Sequence, residues 1–288
     1  MHLDPRAHIG RLRWIRQYPV YREAPTTFAA RTMAFTWREQ LSTQDTMEFS
    51  ACGGRRFRTP RNNISSFIAA VFDQRDLNIV RFWRKTLRPG STFFDVGANI
   101  GLYAVPASLQ VGSVGRTVCF EAHPALCRFL RDNVARNCAD NVTVENVAVG
   151  SASGEARIAF DHSNPGETRV ALETEYGDRV PMVSLDDYCR THRIAAIDYM
   201  KIDVEGYEAN VLKGAASIVE RSPDLLIQTE YEPLHMGRYG ERTEMAALLL
   251  SWGFLPYRID WIDGIPEALH SLDGYSGELV WSRKSLHP

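Results

Sequence analysis

The sequence predicts an α/β protein with a mostly parallel sheet covered by helices on both faces. Three observations support that prediction. From residue 92 onward, short apolar runs alternate with stretches of helical periodicity. A glycine-bearing loop, Asp95-Val96-Gly97-Ala98-Asn99-Ile100-Gly101, grows out of the first run. Acidic residues stand where later runs end, at Glu121, Asp203 and Glu230. Open α/β sheets bind their ligands along that edge.

In chain order, Thr92–Val96 reads as a buried strand, followed by a helix over Gly101–Gln110. Thr117–Glu121 is a second strand, and Pro124–Cys138 a helix with Leu126, Phe129, Leu130 and Val134 on one face. Val142–Val149 reads as the third strand and Tyr199–Val204 as the fourth. A helix over Glu208–Glu220 leads to a fifth strand, Leu225–Glu230. A helix over Thr243–Trp252 then precedes strands at Phe254–Ile259 and Glu278–Ser282. Residues 1–90 break this rhythm. They are expected to form an N-terminal α/β appendage, a lid or dimer arm, on a ligand-binding domain of residues 91–288. Within it, Met47–Thr59 reads as a hairpin turning at Gly53-Gly54. Ile64–Leu87 reads as one or two helices stopped by Arg88-Pro89-Gly90. Residues 161–180 are polar and turn-rich, the pattern of an exposed insertion.

The 288 residues, 44% hydrophobic and 24% charged, suffice for one large core plus an appendage. No apolar run approaches the roughly 18–20 residues that span a bilayer. Met1-His2-Leu3-Asp4-Pro5-Arg6 lacks an apolar signal region. The five cysteines form no CxxC pair, and Cys119 and Cys127 read as small core residues, so a reducing cytoplasm is expected. No basic stripe interleaved with aromatics is present, and neither nucleic acid nor membrane is an expected partner. The net charge of −2 conceals an asymmetry. Residues 1–90 carry 16 Lys and Arg against 7 Asp and Glu, and the remainder 17 against 28. Either the arginines pair with the acidic remainder on a solvated surface, or the basic segment recruits an anionic or carrier-bound small-molecule substrate. A homodimer through the appendage is the other expected partnership.

The loop after the first strand carries the chemistry. Gly97 lets the backbone turn without a Cβ, and Gly101 lets the next helix begin close to a ligand. A dinucleotide fold would place GxGxxG here, with amides on the pyrophosphate. This loop has one glycine fewer and leads with Asp95, which suits a phosphate-free cofactor with cationic groups, S-adenosylmethionine. Asp95, Gly97, Ala98 and Asn99 would meet its methionine part. Glu121, beside Ala122, can accept both ribose hydroxyls, and Asn146, Val147 and Ala148 would hold the adenine. The plain alternatives are a strand-to-helix turn, a surface glutamate and a strand terminus.

Asp203 and Glu205, two apart on an extended backbone, would project to one side. Their like charges need a cation, and the candidates are the sulfonium, Lys201 or a metal. Glu208 is expected exposed in a helix's first turn, favoured by the dipole. Past the fifth strand stand Glu230, Tyr231, Glu232 and His235. His235 reads either as a general base, with an ordinary pKa of about 6.5, or as a turn-capping histidine. Asp203 and His235 are the catalytic candidates, with Glu205 and Glu230 placing a substrate hydroxyl.

The blocks D-V-G-A-N-I-G, F-E-A-H-P, N-V-A-V-G, V-S-L-D-D, K-I-D-V-E-G-Y-E-A-N-V-L-K-G-A and Q-T-E-Y resemble the FkbM-type methyltransferase family from about Phe93 to about Trp252. K-I-D-V-E-G-x-E is the specific part. The resemblance implies a Rossmann-like class I methyltransferase fold, with a seven-stranded sheet in the order 3-2-1-4-5-7-6 and its last strand antiparallel. It implies S-adenosylmethionine-dependent O-methylation of hydroxyls on small natural products or sugars, as in natural product biosynthesis. It puts Asp95, Gly97, Asn99 and Gly101 at the methionine end, Glu121 on the ribose and Asp203 near the transferred methyl. Tyr231 stands where catechol-type methyltransferases carry an Asn-type metal ligand, so a divalent metal is not favoured. One rival is an NAD-dependent nucleotide-sugar oxidoreductase or epimerase, against which the absent GxGxxG and YxxxK count. The other is a non-catalytic cofactor-binding scaffold in a biosynthetic complex, against which the intact acidic set counts.

Overall fold

A computed structural model describes residues 24–41, 45–61, 63–73, 77–137, 141–160, 168–172, 175–232, 237–239, 243–260 and 263–286. The N-terminal region holds α1 (Pro25–Leu41), a hairpin of β1 (Thr46–Ala51) and β2 (Arg55–Pro60), then α2 (Ile64–Phe72) and α3 (Leu77–Thr86). The hairpin and the helical pair match the sequence pattern. Helix α1 is new. Phe35 is its one buried side chain, so no apolar stripe announces it.

Next come β3 (Thr92–Val96), α4 (Ala104–Val111), β4 (Arg116–Phe120), α5 (Pro124–Asn137) and β5 (Val142–Glu145). A second group of strands follows: β6 (Ala148–Val149), β7 (Gly154–Phe160), β8 (Thr168–Val170) and β9 (Asp178–Val183). The chain then forms α6 (Leu185–Thr191), β10 (Tyr199–Ile202), α7 (Glu208–Lys213), α8 (Ala216–Glu220) and β11 (Leu226–Tyr231). It ends with α9 (Glu244–Ser251), β12 (Leu255–Ile259), β13 (Pro266–Ala268) and β14 (Gly277–Ser282).

The main sheet runs β5-β4-β3-β10-β11-β14-β12-β13. Neighbours from β5 to β11 are parallel, and β14 is antiparallel to both of its neighbours. Eight strands replace the expected seven, because Pro266–Ala268 pairs with Tyr257–Ile259 on the outer edge. Alternate residues of the central strands feed opposite faces, as pleating requires. Phe94, Phe120, Met200 and Ile202 pack beneath α6, α7, α8 and α9. Phe93 and Tyr199 stack on the other face against Trp83 of α3.

Three sequence expectations are corrected. The third strand, Val142–Val149, divides: β5 stays in the main sheet, while β6 joins a four-stranded sheet ordered β6-β9-β7-β8. At the point of departure the Asn146 side chain donates to the Glu121 and Ala122 carbonyls at 2.8 and 3.0 Å, in place of further strand pairing with β4. The helix over Glu208–Glu220 breaks at Gly214, where a Cβ would stand 2.1 Å from the Gly150 carbonyl oxygen. The 161–180 stretch is not simply an exposed insertion, since it contributes β8 and the start of β9 to the second sheet. No described helix is long and apolar enough to cross a membrane.

Candidate functional site

The parallel register brings Val96, Phe120 and Ile202 into one row, so β3, β4 and β10 end together. The backbone leaves that row in a tight turn. The Gly97 and Ala98 amides donate to the Phe120 carbonyl, and the Asp203 amide donates to that of Val96, all at 3.0 Å. Gly97, Asn99 and Gly101 take positive φ values of 82°, 50° and 90°. A Cβ on Gly97 would lie 1.9 Å from the Asp203 carbonyl oxygen, so the two strand ends meet only because residue 97 lacks one.

Two adjoining cavities open over this row, and both are lined by Gly97, Glu121, Thr168 and Asp203. The smaller, about 440 Å³, has apolar walls from Ala122, Val147, Val149, Ile158 and Val204. The larger, about 890 Å³, is polar and faces Asn99, Tyr103, Lys201, Glu205 and Glu230.

Glu121 is fixed before any ligand arrives. One carboxylate oxygen accepts the Asn99 amide and the other the His123 amide, each at 2.8 Å. Burial pushes its pKa up to about 7 against those two donors. Asp95 is fully enclosed, and burial raises its pKa to about 6 against the pull of Lys201. The Lys201 ammonium lies 2.9 Å from Asp203 Oδ2 and 4.3 Å from the centre of the Tyr103 ring. Burial alone would depress the Lys201 pKa, but Asp203, Asp95 and Glu278 outweigh it and raise it. The lysine is a buried cation.

The structure brings most of the predicted residues to these cavities. Gly97, Ala98, Asn99, Glu121, Ala122, Val147, Ala148, Asp203, Glu205 and Glu230 line them. Asp95 lies beneath the floor, Gly101 packs toward Leu130 at the loop's end, and Asn146 braces the wall from behind. His235 falls outside the described residues.

Two local expectations are overturned. Glu205 sits at φ 56° in a turn and not on an extended strand, although it still shares the polar cavity with Asp203. Glu208 is not exposed. It is 2% accessible, its Oε1 accepts the Val204 and Gly206 amides, and burial raises its pKa to about 7. The turn folds back over its own helix start, so the carboxylate faces backbone donors and not water.

Other lining residues lay outside the sequence reading. Ile64 and Ser65, at the start of α2, face the polar cavity. Asn63 caps that helix by accepting the Ser66 amide and donates to Asn99 Oδ1 at 3.4 Å. The Asn-x-x-Ser cap was readable, but its contact with the loop was not. Thr168, Arg169 and Val170 of β8 close the apolar cavity, braced by a two-pronged Arg169–Glu175 ion pair and by Tyr239 on the Val170 carbonyl. Among the described residues, no group of three His, Cys, Asp or Glu side chains is set to hold a metal ion.

Residues 95–256 match the Methyltransferase FkbM domain, more than half of the chain, and the chain belongs to that family. A relative from Streptomyces tacrolimicus, 31-O-demethyl-FK506 methyltransferase FkbM, is 31% identical over 44% of this chain and 60% of its own. Hexuronic acid methyltransferase AglP of Haloferax volcanii is 25% identical over 50% of this chain and 57% of its own. This chain therefore spans less than two thirds of the length of either curated relative. Among solved structures, Methyltransferase FkbM from Methylobacillus flagellatus KT aligns with 89% of this chain and 60% of that one, at 16% identity and a TM-score of 0.46.

Proposed function

We propose that the chain is an S-adenosylmethionine-dependent O-methyltransferase acting on a hydroxyl of a small natural product or sugar. The observation that carries this reading is a cleft in two unlike halves, apolar and acidic, meeting over Gly97 with Glu121 and Asp203 at the junction. The apolar half suits a purine. Glu121, with each oxygen already held by a backbone amide, keeps further lone pairs for a ribose diol. The loop approaches a ligand closely, and the acidic half attracts cationic groups. The carboxylates Glu121, Asp203, Glu205 and Glu230 along the cleft disfavour a pyrophosphate, which argues against a nicotinamide cofactor.

Bound S-adenosylmethionine supplies an activated methyl on a sulfonium. The protein's contribution is then alignment, which is worth up to about 7–11 kcal/mol where geometry is ideal. Asp203, pinned by Lys201, holds negative charge at the junction, while Glu205 and Glu230 accept from and orient the substrate hydroxyl. The proton-accepting role is shared between Asp203 and His235 on the strength of sequence position alone, and Asp203, tied to a buried ammonium, is the weaker base of the two. The names of the two curated relatives, one acting on 31-O-demethyl-FK506 and one on hexuronic acid, support a natural-product or sugar acceptor.

Calorimetric titration of the folded protein with S-adenosylmethionine and separately with NAD tests the reading. Heat with the first and none with the second is expected, and the reverse pattern would transfer the site to the oxidoreductase rival. Labelled methyl transferred to a hydroxylated compound from cell extract then defines the acceptor.

A further inference from the structure

Among the described residues, Lys201 is the cation buried in the acidic floor of the polar cavity. Lys201 and Asp95 are direct partners across β10 and β3, and Asp203 follows one residue after β10 ends. The lysine side chain is 1% exposed and that of Asp203 16%. Around the ammonium stand Asp203 at 2.9 Å, Asp95 on the neighbouring strand and the Tyr103 ring, and Glu278 of β14 adds a further electrostatic pull. Asp203 in turn faces Asp95, Glu121 and Glu208. With Asp95 and Asp203 both ionised, the trio with Lys201 carries a single negative charge. Without the lysine, two enclosed carboxylates side by side would share a proton, since like charges in a low-dielectric site cannot both ionise.

We propose that Lys201 is a positioning residue that keeps Asp203 ionised and fixed at the junction of the two cavities, so that the site meets a cationic sulfur ligand with its countercharge already in place. This rests on the reading of the cleft as an S-adenosylmethionine site. Removing the lysine alone leaves the enclosed carboxylates without their countercharge and destabilises the fold until a proton takes its place, so stability and ligand charge are read separately in the variants. Once the sulfur is neutral, as in S-adenosylhomocysteine, the sulfonium's share of the attraction is gone and only the amino group's remains, which favours release of the spent cofactor.

The test measures dissociation constants for S-adenosylmethionine and S-adenosylhomocysteine by calorimetry between about pH 7 and pH 8.5. The proteins are the wild type, Lys201→Gln, Lys201→Met and Lys201→Arg, with melting curves to confirm folding. In the Gln and Met variants the carboxylate pair holds a proton that the sulfonium must expel. Their affinity for S-adenosylmethionine, relative to wild type, should therefore recover by up to about tenfold per pH unit. Their relative affinity for S-adenosylhomocysteine should stay flat, and Lys201→Arg should follow the wild type. Lys201→Gln keeps a donor for Asp203 and serves if the Met variant does not fold. A loss that is equal for both ligands and independent of pH would reduce Lys201 to a structural residue and overturn the inference. Wild-type protein binding neither ligand would instead sink the function proposed above.

Discussion

At Gly97 two constraints coincide, a φ of 82° and a backbone oxygen standing 1.9 Å from any Cβ. Gly97→Ala is expected to cost about 3 kcal/mol or more, from left-handed strain and the clash together, and to abolish cofactor binding. Urea unfolding and calorimetry measure the two losses separately, and an Ala variant with native stability would contradict the geometry. Glu208 gives a finer test, since its Oε1 holds the turn that presents Asp203 and Glu205. Glu208→Gln keeps that acceptor and should stay within about 1 kcal/mol of wild type near pH 7. Glu208→Ala strands two amides and should cost about 2–3 kcal/mol. The glycine was legible from the sequence, because a turn leaving a buried strand needs one. The role of Glu208 was not, because a first-turn glutamate looks the same whether water or a folded-back turn surrounds it.

Among the elements, the hairpin's attachment depends on two asparagines one turn apart on α5. Asn137 accepts the Arg56 amide at 3.0 Å and donates to the Arg56 carbonyl, and Asn133 does the same for Arg58. The two side-chain amides thus imitate a neighbouring strand along the open edge of β2. Asn133 also donates to the Ile100 carbonyl at 2.8 Å, which ties the hairpin to the loop over the cleft. Asn133→Ala should therefore cost about 2–3 kcal/mol and loosen amide protection in both β2 and the loop. Asn137→Ala, at a half-buried position nearer solvent, should cost about 1 kcal/mol or less. Hydrogen exchange resolves the two, and equal effects would refute the ladder. Element periodicity was visible in the sequence, yet the division of Val142–Val149 between two sheets was not. Both halves are apolar enough for one strand, and the chain turns away where the Asn146 side chain bonds to Glu121 and Ala122 and β6 pairs with β9.

For the molecule as a whole, three enclosed carboxylates among the described residues have raised pKa values that set a dependence on pH. Asp95 titrates at about 6, and Glu121 and Glu208 at about 7. In the unfolded chain such groups titrate near 4, so the folded state binds more protons between about pH 4 and pH 7. The stability they contribute is complete below about pH 4 and is lost as pH rises through 6 to 7. The ligand-free protein should melt at progressively lower temperature from about pH 5 to pH 7.5. Saturating S-adenosylmethionine should flatten or reverse that slope by favouring the ionised forms. A melting temperature that rises with pH without ligand would exclude this account.

The sequence by itself determined the alternation of strands and helices, the family, and the loop, Glu121, Asp203 and Glu230 as cleft residues. These follow from local patterns: period, turn chemistry, and acids placed where apolar runs stop. The tertiary structure alone decided that Lys201 neutralises the floor, that Glu208 is buried, and that Ile64, Ser65 and Thr168 help to line the cavities. Those outcomes depend on which distant residues come together and on how much water remains between them, which no local pattern specifies.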